Sequence, residues 1–366
     1  SEFLNTILKD NTKAKHRIQD DTEFDEVLNI SAKLVGKMRN IGVHASGVLI
    51  SNSNVDNYVP INNIGGRVVS QYDKVDVELA GLVKFDFLGL KNLTVIKEAL
   101  DLINASREKQ NLSKITTHHI NANIYDENVY KDIFSNGNTL NVFQFASPPM
   151  RKMLKDAEPD RFEDLIALVS LFRPGPMDNI PSFIARKKGI EPIVHLDVNC
   201  QALIDILEPT YGIIVYQEQV MQIAQAYAGY TLGGADLLRR AMGKKKPEEM
   251  AKQKGVFVEG AVKNGYSEEK AIEIFELMEK FAAYGFNKSH AAAYALVSFQ
   301  TAWLKKYYPA QYLTAVLNSQ IGENKNKDIY ISLEDARLNG LNVLPIDINF
   351  SYQKFVIDEN HNIRMP

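Results

Sequence analysis

The chain has 366 residues, a formal charge of −3, seven histidines and one cysteine, which allows two or three domains with sizeable apolar cores. The lone Cys200 excludes an internal disulfide and any multi-thiolate zinc site, and the histidines lack metal-binding spacing: His118 and His119 are adjacent, and no H-E-x-x-H occurs. No secretion signal opens the chain and no run of about 18 apolar residues offers a membrane span, so a soluble cytoplasmic protein with no membrane partner is expected.

Residues 1 to about 40 read as polar helix, with a weak apolar stripe at Phe24, Val27, Leu28, Ala32 and Val35. From Gly42 the texture changes. GVLIS (47–51), GRVVSQYD (66–73) and GLVKFDFLGL (81–90) are β-branched or aromatic runs separated by Asn, Gly and Pro, which predicts a small sheet. Beyond Leu90 the pattern is helical, with turns at 173–176, Gly233-Gly234, Gly265 and Tyr308-Pro309, and a late strand in FVIDE (355–359). The fold class is therefore α+β and mainly helical, without internal repeats. Both ends read as cut, so a segment of something larger is expected.

The strand 83–88 carries dense chemistry. Side chains alternate across a strand, so Val83, Phe85 and Phe87 share one face while Lys84 and Asp86 share the other, on a strand otherwise made of core residues. The plain reading is a weak surface ion pair. The functional reading is a carboxylate that ligates Mg²⁺, with a cation beside it for a phosphate or a nucleic-acid end. One aspartate does not make a two-metal centre.

Residues 211–248 read as a helix with Val220, Ile223, Ala224 and Tyr227 on its buried face, a turn at Gly233-Gly234, and a short helix, 235–242, ending at Gly243. Between Thr231 and Lys246 lie five cations (Arg239, Arg240, Lys244, Lys245, Lys246) against one anion, Asp236. Lysines at a helix end are commonly solvated and suit the helix dipole. Two adjacent arginines favour a polyanion, because guanidinium groups grip phosphate oxygens in pairs. A Walker phosphate loop is excluded, since Leu238 and Lys245 stand where it needs Gly and Ser or Thr. Pro247 with Glu248 and Glu249 opens the next helix, and Phe275, Met278 and Ala282 line one face of the helix after it.

In 281–309, Asn287, Lys288, Ser289 and His290 crowd a helix start, where backbone N–H groups favour anions, and Tyr294 follows His290 one turn on. That order suits a nucleotide, phosphates at the tip and base against the ring. The competing reading makes Ser289 a helix cap and Tyr294 a core residue.

Six stretches carry a family pattern: RNIGVHASGVLIS, QYDKVDVELAGLVKFDFLGL, FEDLIALVSLFRPGP, EPTYGIIVYQEQVMQIA, GYTLGGADLLRRAMGKKKPEEM and KFAAYGFNKSHAAAYALVSFQTAWLKKYYPA. In one register from about residue 31 to 350, the chain resembles the C family of bacterial replicative DNA polymerases. The resemblance implies a hand-shaped enzyme with a nucleotidyltransferase-type palm: 1–40 the end of the thumb, 41–90 the second part of the palm, and 91–366 most of the helical fingers. It implies two Mg²⁺ ions in the complete site with Asp86 as one metal ligand, and Lys84 near the primer end or the incoming phosphates. It places Arg239, Arg240, Lys244 and Lys245 on the deoxynucleoside triphosphate, Asn287, Lys288, Ser289, His290 and Tyr294 along the nascent base-pair pocket, and Arg39, His44 and Arg173 on primer-template DNA. A sliding clamp and a proofreading exonuclease would be met through regions outside this chain.

The departures matter. The family's other two palm aspartates lie in a P-D-x-D-x-D motif that does not occur here; PIDINF (345–350) has Asn349 where a second carboxylate would stand, and it is a decoy. At 146–150 the usual acid and glycine are replaced by Ala146 and Pro149. The chain alone is therefore expected not to polymerise. The rival readings are a non-catalytic nucleic-acid-binding module gripping phosphates through 239–246, and a purely structural helical domain.

Overall fold

The computed structural model describes residues 22–244, 247–282, 285–322 and 326–366, with the side chains of residues 243, 244, 247, 248 and 282 also outside the description. The chain divides into two compact units, Ser1–Gly89 and Leu90–Pro366.

In the first unit, helix α1 (Thr22–Leu34) buries no residue. Phe24, Leu28 and Ala32 of the weak stripe are half-buried, and Val27 and Val35 are exposed. Strand β1 (Gly47–Ile50), a hairpin of β2 (Ile61–Ile64) and β3 (Arg67–Ser70), helix α2 (Lys74–Leu79) and strand β4 (Val83–Asp86) follow. Gly65 and Gly66 close the hairpin at φ +60° and +80°, left-handed conformations that a two-residue turn matched to strand twist requires. The Asp73 carboxylate caps α2 by accepting the N–H groups of Val75 and Asp76. The expected single sheet is two separate two-stranded ones, β1–β4 and β2–β3, because the Ile61–Ile64 run pairs locally across its glycine turn.

The reading of 83–88 as a core strand is corrected as well. β1 and β4 are antiparallel, with Gly47 opposite Asp86 and Leu49 opposite Lys84, and Phe87 N–H extends the pairing to Ser46 O. Partners across an antiparallel pair share a face. The Lys84 face therefore carries Leu49, which packs on the small core of Val59, Val77 and Leu82. The apolar residues lie on the opposite face, with Val83, Phe85 and Phe87 exposed by 54%, 47% and 68%. Val77 of α2 decides this, by covering the side of the ribbon that carries the polar pair.

The second unit is helical, as the sequence predicts. It runs α3 (Lys91–Lys109), α4 (Thr117–Ala122), α5 (Glu127–Val129) into a π turn (Tyr130–Ser135), α6 (Pro148–Ala157), α7 (Phe162–Leu171), α8 (Ile180–Lys187), α9 (Gln201–Leu207), α10 (Gln217–Ala228), α11 (Leu232–Lys244), α12 (Pro247–Lys263), α13 (Glu268–Ala282), α14 (Lys288–Tyr307), α15 (Pro309–Gln320) and α16 (Asn326–Leu338). A short sheet of β5 (Val343–Leu344), β6 (Val356–Ile357) and β7 (Ile363–Arg364) has the order β5-β7-β6.

Two apolar cores hold this unit. One is built on α3, α6, α7, α14 and α15, the other on α9 to α13. Residues 213–216 belong to both: Ile213, Val215 and Tyr216 sit in the first core and Ile214 in the second. Alternation along residues 213–215 produces that split, with Tyr216 joining Val215 in the first core where the helix begins, and it anchors the start of α10 from two sides. The expected stripe on α10 is present, with Val220, Ile223, Ala224 and Tyr227 fully buried; Phe275 and Met278 are likewise buried in α13.

The expected turn at Gly233-Gly234 is a helix start instead. Thr231 Oγ1 accepts the Gly234 N–H at 3.1 Å, a cap that lets both glycines form the first turn of α11. The helix then passes through Gly243 to Lys244 rather than stopping at Met242. Lys245 lies outside the described residues, as does the side chain of Lys244.

Candidate functional site

In the first unit, Lys84 Nζ donates to Asp86 Oδ1 at 2.6 Å, and His44 Nδ1 lies 3.8 Å from the same oxygen. The register brings these three together at Gly47. A Cβ there would meet Lys84 Cε at 2.7 Å, His44 Nδ1 at 3.0 Å and Asp86 Oδ1 at 3.2 Å, so only a glycine leaves room for the cluster as it stands. The hydrogen bond from Lys84 holds the Asp86 carboxyl below the ordinary aspartate range. Asp86 is thus a solvent-facing carboxylate with a cation in contact. Arg39 lies exposed in the irregular stretch after α1.

The fit to Mg²⁺ is partial. Asp86 offers hard oxygen ligands on an accessible surface. Among the described residues, however, no group of three or more His, Cys, Asp or Glu is placed to hold a metal ion. Asp347 of the 345–350 decoy accepts the Asn349 N–H within its own turn.

In the second unit, the two segments singled out for a nucleotide are tied together by residues that sequence reasoning passed over. Buried Gln219 fixes the start of α10: its Oε1 accepts the N–H groups of Val215 and Tyr216 at 2.8 and 3.0 Å, and its Nε2 donates to Thr210 Oγ1 at 2.8 Å. That lock aims Gln217 and Glu218. Gln217 Oε1 accepts from Arg239 Nη1 at 3.2 Å while its Nε2 donates to Gly285 O at 3.0 Å. Its backbone N–H donates to Phe286 O at 2.9 Å, and Phe286 N–H returns to Val215 O at 3.1 Å. Glu218 accepts from Asn287 Nδ2 at 3.1 Å and from the Lys288 N–H at 2.9 Å.

The cations of α11 have an internal counterion. Asp236 Oδ1 accepts from Arg239 Nε and Nη2 at 3.0 and 2.8 Å, and Oδ2 lies 2.8 Å from Arg240 Nη2. The Arg239 contact, more than that of Arg240, holds the Asp236 carboxyl below the ordinary range. Arg240 remains largely exposed, at 63% of its side chain.

At the start of α14 the cap is Asn287, whose Oδ1 accepts the His290 N–H at 2.8 Å; the reading of Ser289 as the cap is corrected, since its hydroxyl donates to Asn287 Oδ1 at 2.6 Å. The backbone N–H expected to meet a phosphate faces the Glu218 carboxylate instead. Tyr294 is neither free nor fully core. Its half-buried ring lies 4.2 Å from that of His290 and 5.2 Å from that of Phe143, with Phe286 5.5 Å from His290. Arg173 joins this row, its guanidinium 4.6 Å from the Phe286 ring centroid, and Lys288 Nζ lies 5.4 Å from the Tyr216 ring. One surface of the second unit therefore gathers Arg239, Arg173, Asn287, Lys288, His290 and Tyr294 around residues 216–218.

The sequence signal at Gly47 is a glycine opening a β-branched run; its place opposite Asp86 and beside Lys84 comes from the strand register. For Gln217 and Glu218 the sequence holds no such signal, because their partners at 285–288 lie about seventy positions away.

No described helix is long and apolar enough to cross a membrane. A helical domain whose arginine helix converges with the start of a second helix is joined here to a small sheet unit bearing an exposed carboxylate. The sequence comparisons assign that combination. Residues 92–265 match the model of the bacterial DNA polymerase III alpha subunit finger domain, and residues 2–89 that of the bacterial DNA polymerase III alpha NTPase domain. Similar proteins include DNA polymerase III subunit alpha of Xylella fastidiosa strain 9a5c, 51% identical over 354 residues, covering 94% of this chain and 29% of the relative. That of Neisseria meningitidis strain Z2491 is 51% identical over 368 residues (98% and 30%), and that of Escherichia coli K12 is 50% identical over 349 residues (94% and 30%). The chain belongs to the bacterial DNA polymerase III α-subunit family and spans about 30% of the length of the curated relatives it matches.

Proposed function

We propose that this chain is the palm-and-fingers part of a bacterial, cytoplasmic DNA-directed DNA polymerase, which adds deoxynucleotides to a primer 3′ end as a template dictates. Residues 1–40 would end the thumb, 41–90 complete the palm, and 91–366 form most of the fingers. The observation that carries the reading is the Arg239–Gln217–Gly285 link. It puts a guanidinium, a lysine and a row of aromatic rings on one surface, the chemistry that holds a triphosphate at one end and a base at the other. Its substrates would be deoxynucleoside triphosphates and primer-template DNA, with Arg39, His44 and Arg173 on the DNA. The sliding clamp and the proofreading exonuclease would dock outside this chain.

In the reaction the primer 3′ oxygen attacks the α-phosphorus and pyrophosphate leaves in line. Arg239 and Arg240, with Lys244 and Lys245, would neutralise and orient the triphosphate; Asn287, Lys288, Ser289 and His290 would line its path, with Tyr294 beside the base. Lys84 would release Asp86 and turn to the primer end or the phosphates. The cofactor would be Mg²⁺, two ions in the complete site, with Asp86 one of their ligands. The residues described around Asp86 do not by themselves complete such a centre.

The test is single-nucleotide insertion by the complete subunit carrying this chain. Asp86→Asn should lower kcat by on the order of 10²–10³. Arg239→Ala should raise KM for the triphosphate about tenfold or more, the loss of a charge-assisted contact. Wild-type rates in Asp86→Asn would overturn the reading.

A further inference from the structure

We infer that Gln217 is a positioning residue that sets the Arg239 guanidinium for the triphosphate; this rests on the reading of Arg239 given above. The geometry is specific. Arg239 is held on two sides by different elements, Asp236 of its own helix taking Nε and Nη2, and Gln217 of α10 taking Nη1. Three of the five guanidinium N–H groups are used in these bonds, leaving two for an anion. Asp236 alone leaves the guanidinium a hinge about its own helix, because both of those contacts end on one carboxylate oxygen. Gln217 removes that freedom and refers the guanidinium to another part of the unit.

That other part is the turn into α14. Gln217 reaches it three ways: side-chain Nε2 to Gly285 O, backbone N–H to Phe286 O, and packing of its Cγ, which lies 3.1 Å from where a Cβ on Gly285 would sit. Beside it, Glu218 holds Asn287 Nδ2 and the Lys288 N–H. The amide accepts from the arginine and donates to the turn at once, a pairing that Glu or Lys at this position would not reproduce. Gln217 thereby fixes the distance between the residue proposed for the phosphates and the segment proposed for the base. A shift of either group would loosen the hold on the triphosphate before chemistry begins, so the loss falls on KM.

The experiment is a double-mutant cycle in the complete subunit carrying this chain, with KM and kcat for single-nucleotide insertion and the thermal midpoint read for each variant. Gln217→Met keeps the side-chain length and removes the amide. It should raise KM about tenfold with kcat changed less than about threefold and the thermal midpoint unmoved. Arg239→Ala should raise KM at least as much, and the double variant should be no worse than Arg239→Ala alone. If Gln217→Met lowers the midpoint, Gln217→Leu is read in the same cycle at a temperature where both are folded. An unchanged KM in Gln217→Met, or effects that multiply in the double variant, would overturn the inference while leaving the role of Arg239 standing. An unchanged KM in Arg239→Ala would instead overturn the triphosphate reading itself.

Discussion

The two units each contain a lysine–aspartate pair of almost the same length, in opposite surroundings. Lys84–Asp86 on the sheet is 2.6 Å long with its carboxylate side chain 42% exposed. Lys305–Asp335 in the helical unit is 2.7 Å long with side chains 0% and 1% exposed. The buried pair is closed on every side. Lys305 Nζ also donates to Leu140 O, and Asp335 accepts from Asn141 Nδ2 and Asn339 Nδ2. Burial pulls the Lys305 ammonium below the ordinary lysine value even though Asp335 pushes it up. A pair so enclosed joins α14 to α16 and has nothing left to offer a ligand. The exposed pair adds little stability and leaves its carboxylate open to solvent, so solvent access, not contact distance, decides which of the two pairs a ligand could reach.

The sharpest way to break the comparison is to remove one partner of the buried pair. Lys305→Met should destabilise the helical unit by about 3–5 kcal/mol, because a buried carboxylate is left uncompensated; urea denaturation followed by circular dichroism reads this directly. Replacing Asp335 by Leu as well should recover much of the loss.

Glycines give the next contrast. In α12, a Cβ on Gly260 would sit 2.2 Å from the backbone oxygen of Ala228, so Gly260→Ala forces α10 and α12 apart at about 1–3 kcal/mol. At Gly47 the neighbours are movable side-chain ends. Gly47→Ala should therefore leave stability within about 0.5 kcal/mol, yet displace Lys84 from Asp86. The same denaturation series compares the two.

The smallest effect is electrostatic. The folded-state Asp86 carboxyl lies below its unfolded value, so what the pair adds to stability is present above the unfolded value and is lost as pH falls through the lowered one. Carboxyl NMR titration should find Asp86 below the ordinary aspartate range, and Lys84→Met should bring it up. No upward movement would mean that Lys84 is not what holds the carboxylate ionised.

What was legible in the sequence follows the range of the interactions. The α10 stripe, the Pro247 start and the shared face of Lys84 and Asp86 are local patterns, and the structure has all three. The Gly233-Gly234 turn was misread because Thr231 caps a helix that the glycines alone would discourage. The core reading of β4 failed because which face is covered depends on α2, not on the strand's own composition. The clasp of Gln217 and Glu218 on 285–288 was invisible, since it depends on two cores fixing residues 213–216.

The central claim is that the second unit offers a prepared triphosphate seat centred on Arg239 and Arg240. Equilibrium binding of a deoxynucleoside triphosphate with Mg²⁺ to this chain, beside the Arg239→Ala/Arg240→Ala double variant, tests it most directly. The account predicts saturable binding by the folded wild-type chain that weakens at least about tenfold in the variant. Equal binding by the two folded chains would contradict it.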